Sequence, residues 1–213
     1  GIIALFIVAT PALNRIVEWN EAMHLPEALY NIEQWMRQQE NAATKITEQI
    51  LQVNSFSHFL AVIFGIGILT GIGEEMIFRG VLQRIVQDQN HRAHVAVWIC
   101  AFLFSAIHLQ FYGFIPRLLL GAFFGYLLVW SKNLWLPIFA HLFNNSTVAC
   151  ISYFTNDKSP DNLIETIGTS GSPTSWLAGA SLIGTVILLY VLYKKVFVSK
   201  SKEFFPMEDK ITP

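Results

Sequence analysis

The chain alternates long apolar stretches with short polar segments. Five stretches contain no Asp, Glu, Lys or Arg: Gln49 to Gly73, Ala93 to Pro116, Leu118 to Ser131, Asn133 to Asn156 and Thr166 to Tyr193. A membrane-spanning helix needs about 20 mostly apolar residues. Four stretches reach that length, and the Leu118 stretch does so when extended back to Gly113. A further run, Gly1 to Ala9, is expected to end a helix that begins upstream. The pattern predicts an all-α, polytopic membrane helix bundle with about six visible transmembrane helices.

The segment from Asn14 to Glu48 is polar, yet apolar residues recur in it at near-helical spacing, including Ile16, Trp19, Leu29, Ile32, Trp35 and Met36. An amphipathic helix on the membrane surface fits this pattern. An ordinary extramembrane helical connection fits it as well. We therefore expect three regions: 1–55, with the first helix and this segment; 56–198, a catalytic helix bundle; and 199–213, a cytoplasmic tail.

Composition supports a membrane location. The 213 residues are 53% hydrophobic and 14% charged, whereas a soluble domain carries roughly 25% charged residues. Mean hydropathy is +0.45, so the exterior is expected to contact membrane lipid. A formal net charge of -1 provides no basic field for nucleic acid. Cys100 and Cys150 lie in apolar stretches, and they lack the close spacing of a metal or redox motif.

Basic residues predict the orientation. They collect in alternate loops and after the last helix, at Arg84, Arg92, Lys132, Lys194, Lys195, Lys200 and Lys202. The positive-inside rule assigns these loops to the cytoplasm. The loop from Asn156 to Glu165 and the region before Gln49 then lie on the opposite side, although Arg37, Lys45 and Lys158 depart from the bias.

The segment Gly73-Glu74-Glu75-Met76-Ile77-Phe78-Arg79-Gly80 puts two carboxylates at the end of an apolar run of membrane length. Ionisable groups at such depth are costly and usually functional. Glu75 and Arg79 are four residues apart and can pair on one helix face, whereas Glu74 is turned by about 100°. One carboxylate can then be structural and the other reactive. The alternative is that the helix has left the membrane and both acids are solvated.

Two later elements add polar groups. His108 ends the segment Phe104-Ser105-Ala106-Ile107-His108 in the next predicted helix, and His141 and Asn145 share one face of a later helix. With a turn near Asn90, Glu74 and His108 lie roughly 24 and 27 Å from it and could meet. His141 lies only about 12 Å past its own loop, so its depth matches if the Asn90 loop projects beyond the bilayer, or if the helices are tilted or broken.

The three elements Glu-Glu-x-x-x-Arg, Phe-x-x-x-His and His-x-x-x-Asn, in this order, resemble the CPBP family of intramembrane proteases. The family is named for CAAX processing and bacteriocin processing, and it includes the type II prenyl-protein endopeptidase. The resemblance covers about Phe56 to Ile151. It implies a peptidase in which Glu74 and His108 hold and activate a water, while His141 and Asn145 stabilise the oxyanion. Glu75 completes the catalytic set, with Arg79 and Phe104 in supporting positions.

A metal mechanism is the alternative, because Glu74, His108 and His141 would make a three-ligand zinc site with water in the fourth position. The Glu-Glu pair does not resemble the His-Glu-x-x-His zinc motif, and no Cys assists. The prediction is therefore metal-free catalysis without a cofactor.

The predicted substrate is a hydrophobic or lipidated peptide, of the prenylated or bacteriocin type, in the bacterial cytoplasmic (inner) membrane. A non-catalytic scaffold or bacteriocin-immunity protein of the same fold is the main alternative, because a fold does not prove activity. A proton-coupled transporter is the third, with Glu74, Glu75, His108 and His141 as a relay. Against it, the chain shows no inverted repeat or paired broken helices.

Overall fold

A computed structural model describes residues 1–90, 92–155 and 163–195, and within them the chain is helical with no strand. The helices are α1 (Ile2–Glu21), α2 (Tyr30–Leu51), α3 (56–90), α4 (Ala93–Ala106), α5 (Phe114–Ser131), α6 (Trp135–Thr155), α7 (Leu163–Thr166) and α8 (Leu177–Tyr193). Short 3₁₀ turns lie at Glu27–Leu29 and Phe111–Gly113. The predicted all-α bundle is confirmed.

Three helical stretches in the described part of the chain are long and apolar enough to cross a membrane, namely Ile2–Glu21, Phe56–Asp88 and Phe111–Ser131. Two shorter apolar helices, α4 and α8, accompany them. The remaining predicted membrane segment, Asn133 to Asn156, contains α6, which has 21 residues and carries polar side chains. The molecule is therefore an integral membrane helix bundle, and the count of six crossings stays a prediction.

The first helix is longer than the sequence indicated. α1 continues to Glu21, so Asn14 to Glu21 belongs to it rather than to a separate polar connection. Its polar side chains bind the segment before α8: Asn14 donates to the carbonyl of Ile164 in α7 (2.7 Å) and to that of Ile167 just after α7 (3.0 Å). The helix persists because tertiary contacts satisfy these polar groups.

Three helices begin or end inside the charge-free stretches that contain them. α3 begins at Phe56 rather than Gln49, because Ser55 caps it by accepting a hydrogen bond from the His58 amide (3.2 Å). α4 ends at Ala106 instead of continuing to Pro116. α8 begins at Leu177 instead of Thr166. The absence of charged residues indicates where each apolar stretch lies, but it does not indicate the non-helical residues within that stretch.

Glycines set the close helix contacts. Gly67 and Gly71 on α3 face α6, where a Cβ at Gly67 would collide with the Ser146 side chain and one at Gly71 would lie 3.2 Å from the Leu142 backbone nitrogen. Gly121 and Gly125 on α5 face α4 in the same way, with Ala101 and Val97 as neighbours. Side chains here would force the helices apart, so these glycines hold α3, α4, α5 and α6 together.

His141 lies closer to its own loop along the chain than Glu74 does, and the length of α3 explains this difference. Leu134, at the turn before α6, packs against Gly80, ten residues before the end of α3. α3 therefore extends about 15 Å beyond that turn. This projection brings His141 level with the Glu pair.

The polar segment after α1 contains the predicted helix as α2, and its position on the membrane surface stays a prediction, as does the division into three regions. Residues 156–162 of the predicted acidic loop and the whole tail 199–213 lie outside the described residues.

Candidate active site

Glu75 and Arg79 form a completely buried ion pair. Arg79 Nη1 donates to Glu75 Oε1 (2.8 Å), and both side chains have 0% exposure. Arg79 Nη2 donates to the Gly121 carbonyl of α5 (2.7 Å). The pairing follows the four-residue spacing on α3, as the sequence predicts. The helix end is thus not solvated at Glu75.

Aromatic rings enclose the arginine. The Arg79 guanidinium lies 4.8 Å from the ring centre of Phe104 and 5.4 Å from that of Phe124. Such contacts favour a cation that has left water. Phe104 therefore contacts the guanidinium of Arg79, and its supporting role stays a prediction.

His141 joins the two carboxylates. Its Nδ1 lies 2.8 Å from Glu75 Oε1, and its Nε2 lies 3.7 Å from Glu74 Oε2. The ring stacks on Phe124 with a centroid separation of 4.9 Å. Because Glu75 Oε1 lies within hydrogen-bond distance of Nδ1, Nδ1 is assigned as the donor of the neutral ring. Nε2 then faces Glu74.

Glu74 differs from its neighbour in exposure. Its side chain is 25% exposed, whereas that of Glu75 is not exposed at all. No hydrogen bond to Glu74 is present among the described residues beyond its approach to His141. The two adjacent carboxylates therefore have different environments, as the 100° rotation between them requires.

His108 lies in the turn after α4, not inside the helix as expected. Its Nδ1 is 2.7 Å from the Phe104 carbonyl and donates to it, which leaves Nε2 as an acceptor. The ring also contacts that of Phe104, with centroids 5.2 Å apart. Leu109 follows in the left-handed region at φ 53°, and this ends the helix. His108 interacts electrostatically with Glu74 and His141 across the site.

The turn that carries His108 is held from outside. Asn20, at the end of α1, donates to the Phe111 carbonyl (3.1 Å) and accepts from the Ile115 amide (2.8 Å). Glu40 of α2 accepts from the Tyr112 amide (3.1 Å). These three bonds fix the backbone that follows His108.

α2 adds side-chain contacts to the same turn. The rings of Trp35 and Phe111 are 5.3 Å apart, and the Arg37 guanidinium lies 4.5 Å from the Tyr112 ring centre. Glu33 holds Arg37 in place with hydrogen bonds of 2.7 and 3.0 Å. Donation by Arg37, the Leu25 amide and His24 lowers the Glu33 pKa to about 2.

Asn145 is bound to a wide turn of α3. Its Nδ2 donates to the Ile66 carbonyl (3.1 Å), while Thr70 Oγ1 donates to the Gly65 carbonyl (3.1 Å). Both carbonyls belong to the π-helical segment Ile63–Leu69. A second π segment, Met76–Leu82, follows Glu75. π turns often occur at functional sites, and here they lie on both sides of the Glu pair.

Two polar residues of this region escaped the sequence argument. Gln83 lies one turn beyond Arg79 on the same face of α3. Its Nε2 donates to the Gly125 carbonyl (3.2 Å). Its spacing of four from Arg79 was the available signal. Arg117, in the first turn of α5, interacts electrostatically with Glu40 and, to a smaller extent, with Glu74. The available signal in the sequence was its position as the single charged residue between the stretches that end at Pro116 and begin at Leu118.

An apolar cleft lies away from these residues. It has a volume of about 560 Å³ and lies between α1, α5 and α8, and neither Glu74 nor His141 lines it. Within residues 1–90, 92–155 and 163–195, no group of three or more His, Cys, Asp or Glu is arranged to hold a metal ion. The choice between metal-free and zinc chemistry stays a prediction.

A helical membrane bundle with a buried Glu-Arg-His network beside an accessible carboxylate has the features of an intramembrane protease fold. Residues 56–147 match the family model described as Type II CAAX prenyl endopeptidase Rce1-like. This match confirms the resemblance seen in the three motifs.

A curated relative is also known. The uncharacterized protein YpbD of Bacillus subtilis (strain 168) is 29% identical over 109 residues, which is 49% of this chain and 51% of the relative. The chain thus spans about half the length of this relative. No solved structure matches the chain.

Proposed function

We propose that the protein is an intramembrane endopeptidase that hydrolyses a peptide bond in a membrane-associated, hydrophobic or lipidated peptide. The observation that carries the proposal is the contrast between Glu75, which is buried and paired, and Glu74, which is 25% exposed and faces His141 Nε2. An accessible carboxylate beside a fixed imidazole suits general acid–base catalysis.

In this mechanism, Glu74 and His108 hold a water molecule. Glu74 takes a proton as the water oxygen bonds to the scissile carbonyl carbon. The carbon–nitrogen bond then breaks, and the proton passes to the departing amine. His108 Nε2 can accept from the same water, because its Nδ1 is committed to the Phe104 carbonyl (2.7 Å).

His141 and Asn145 are assigned to the oxyanion. A doubly protonated His141 donates through Nδ1 to Glu75 and through Nε2 to the oxyanion, and Glu75 stabilises its positive charge. Asn145 uses one N–H for the Ile66 carbonyl and has a second to donate. Donors that are already oriented need no rearrangement in the transition state.

The decisive experiment measures cleavage of a fluorogenic peptide panel, with prenylated and unmodified members, by detergent-purified protein. Glu74→Gln should lower kcat by about 10²- to 10⁴-fold, the usual contribution of a general base. Glu48→Gln, at an exposed position of α2, is the matched control and should retain activity. Unchanged cleavage by Glu74→Gln would refute the proposed base.

Two further arms separate the alternatives. Activity that survives a chelator supports metal-free catalysis, and activity restored only by zinc supports the zinc site of Glu74, His108 and His141. Absence of cleavage across the panel by folded protein, together with peptide binding that Glu74→Gln leaves intact, favours a scaffold or immunity protein. Fractionation in a bacterial host tests the proposed cytoplasmic (inner) membrane location.

A further inference from the structure

The apolar cleft between α1, α5 and α8 is open on one side. Leu182, Val186 and Tyr190 of α8 line it, and they are 55%, 58% and 60% exposed. The other lining residues are aliphatic or aromatic, apart from Thr185, whose hydroxyl oxygen is buried. Exposed apolar surface of this kind marks contact with a membrane or an apolar ligand. The cleft is therefore accessible from the hydrocarbon layer of the bilayer.

The cleft has the length of one lipid leaflet. Along α8 it extends from Leu182 to Tyr193, which is about 16 Å of helix. Along α1 it extends from Leu5 to Ile16, a similar distance. The hydrocarbon core of a bilayer is about 30 Å thick, so one leaflet contributes about 15 Å. A single extended acyl chain therefore matches the cleft in length and in polarity, whereas a transmembrane helix would continue through both leaflets.

The two ends of the cleft differ. Toward one end, Trp130 stacks on Tyr126 with centroids 5.5 Å apart and meets Tyr193 at 5.6 Å. Tyr190 lies on the same end of α8, whereas the opposite end of the cleft, at Ile16, is aliphatic. Tyrosine and tryptophan rings favour the headgroup layer. An acyl chain would therefore enter the cleft from the end at Tyr193.

Two basic residues follow the cleft at this end. Lys194 and Lys195 are both exposed, and Lys194 Nζ lies 5.4 Å from the ring centre of Tyr190. The positive-inside rule assigns this end of α8 to the cytoplasm, where the leaflet contains anionic lipids that attract lysine. A phosphate at the mouth of the cleft would meet both ammonium groups.

We propose that the cleft holds one acyl chain of an anionic phospholipid, whose phosphate pairs with Lys194 and Lys195. The bound chain fills the gap between α5 and α8 and so fixes the last helix against the bundle. This lipid site lies away from Glu74 and His141, and the inference does not depend on the proposed endopeptidase function.

The first test measures the headgroup preference. Delipidated, detergent-purified protein is titrated with dioleoyl phosphatidylglycerol or dioleoyl phosphatidylcholine, and native mass spectrometry provides the apparent Kd of each. The anionic lipid should bind about 5- to 30-fold more tightly, since each lysine near an anionic headgroup contributes about fivefold. Lys194→Gln combined with Lys195→Gln should bring the ratio of the two Kd values close to one.

Arg84→Gln is the matched control, because Arg84 is an exposed cation of α3 at the same predicted membrane face and does not line the cleft. Its ratio should equal that of the unaltered protein. The inference is overturned by a ratio near one in the unaltered protein, by a preference that persists in the lysine variant, or by an equal loss in Arg84→Gln.

A second test blocks the cleft. Val186 lines it and Ile187 does not, although the two are neighbours on α8 with 58% and 56% exposure. Val186→Trp should weaken the binding of both lipids by about tenfold or more, because part of the chain loses its apolar contacts. Ile187→Trp should leave both Kd values unchanged. Equal Kd values for the two variants contradict a chain in the cleft.

Fluorescence locates the chain. Phosphatidylglycerol with brominated acyl chains should quench Trp130, measured as the difference from Trp130→Phe, with the Kd found by mass spectrometry. An unquenched Trp130 would show that another part of the chain or a partner protein covers the cleft, and it would overturn the inference. sn-Glycerol 3-phosphate has the phosphate without the chains and should not displace the lipid. Displacement would assign the lysines to a soluble phosphate instead.

Discussion

The candidate site joins two regions that are built in opposite ways. Glu75, Arg79 and His141 form a buried polar core, in which Glu75 of α3 binds both Arg79 of α3 and His141 of α6 away from water. The turn 107–113, which carries His108, is held by side chains outside the polar core, chiefly Asn20 from α1 and Glu40 from α2. The core is fixed by helix packing, whereas the turn depends on a few peripheral bonds.

Because the core and the turn are held differently, substitutions in the two regions should affect stability and activity to different extents. Removing a charge from the core leaves its partner buried and unpaired, which is a large cost. Loosening the turn leaves the bundle intact and displaces one catalytic histidine. Removal of a charge from the Glu75–Arg79 pair should therefore act first on folding, and substitutions around the turn should act first on turnover.

The largest effect is expected for Arg79→Met. It should reduce the free energy of unfolding by about 3–5 kcal/mol, because Glu75 would remain buried without its cation. Thermal unfolding in detergent measures the loss. Arg84→Met, at an exposed position on the same helix, should change stability by no more than about 0.5 kcal/mol. Equal losses for both variants would contradict a distinction between core and surface.

His141→Gln tests the part of the core that faces the catalytic carboxylate. It removes the Nε2 atom 3.7 Å from Glu74, and we expect kcat to fall by about 10²- to 10³-fold, as for loss of an oxyanion donor. Steady-state kinetics on folded protein provides the measurement. A decrease of less than tenfold would show that His141 serves the core alone.

Asn20→Ala tests the turn. It removes two hydrogen bonds to the segment after His108 and should lower kcat about tenfold, with a loss of about 1–3 kcal/mol from the buried groups left unsatisfied. Asn14→Ala is a matched control, because Asn14 also lies on α1 and also donates two bonds, to Ile164 and Ile167. Asn14→Ala should lose stability with little change in kcat. Parallel losses of kcat would show that the turn is not special.

The smallest effect concerns the salt bridge that holds α2 on the turn. The Glu33 pKa is lowered from 4.5 to about 2, so its stabilising contribution is full above pH about 4.5 and is lost as the pH falls through about 2. Fluorescence of Trp35, taken as the difference from Trp35→Phe, should report release from Phe111 over that interval. Glu33→Gln should abolish the transition and Glu48→Gln should preserve it; a transition that survives Glu33→Gln must have another origin.

Charge-free length was a sufficient guide to the helices but not to their ends. Each apolar segment became helical, since its backbone groups have no other partners in a membrane. The ends depended on Ser55, which caps α3, and on Leu109, whose left-handed backbone stops α4 before His108. A side-chain hydrogen bond and a positive φ do not change the average hydropathy of a segment, so hydropathy could not predict these helix ends.

Spacing predicted the local part of the site better than the distant part. The Glu75–Arg79 pair follows from four residues on one helix. The approach of His141 depends on how far α3 projects beyond Leu134, which is a matter of tertiary packing. Arg117 was missed because a lone cation between apolar stretches has no sequence partner; its neighbour Gln110 is seven residues away across a turn.

The two π-helical segments of α3 also affect which single-residue deletions this helix can tolerate. A π turn contains one residue more than an α turn and leaves the helix on either side in phase. Loss of one residue within Ile63–Leu69 would narrow that turn while keeping Glu74 and Glu75 on their present faces. Loss of one residue within Thr70–Glu75 would rotate everything on one side of the gap by about 100° relative to the other. α3 is thus tolerant of deletion where its backbone is irregular and intolerant where it is regular.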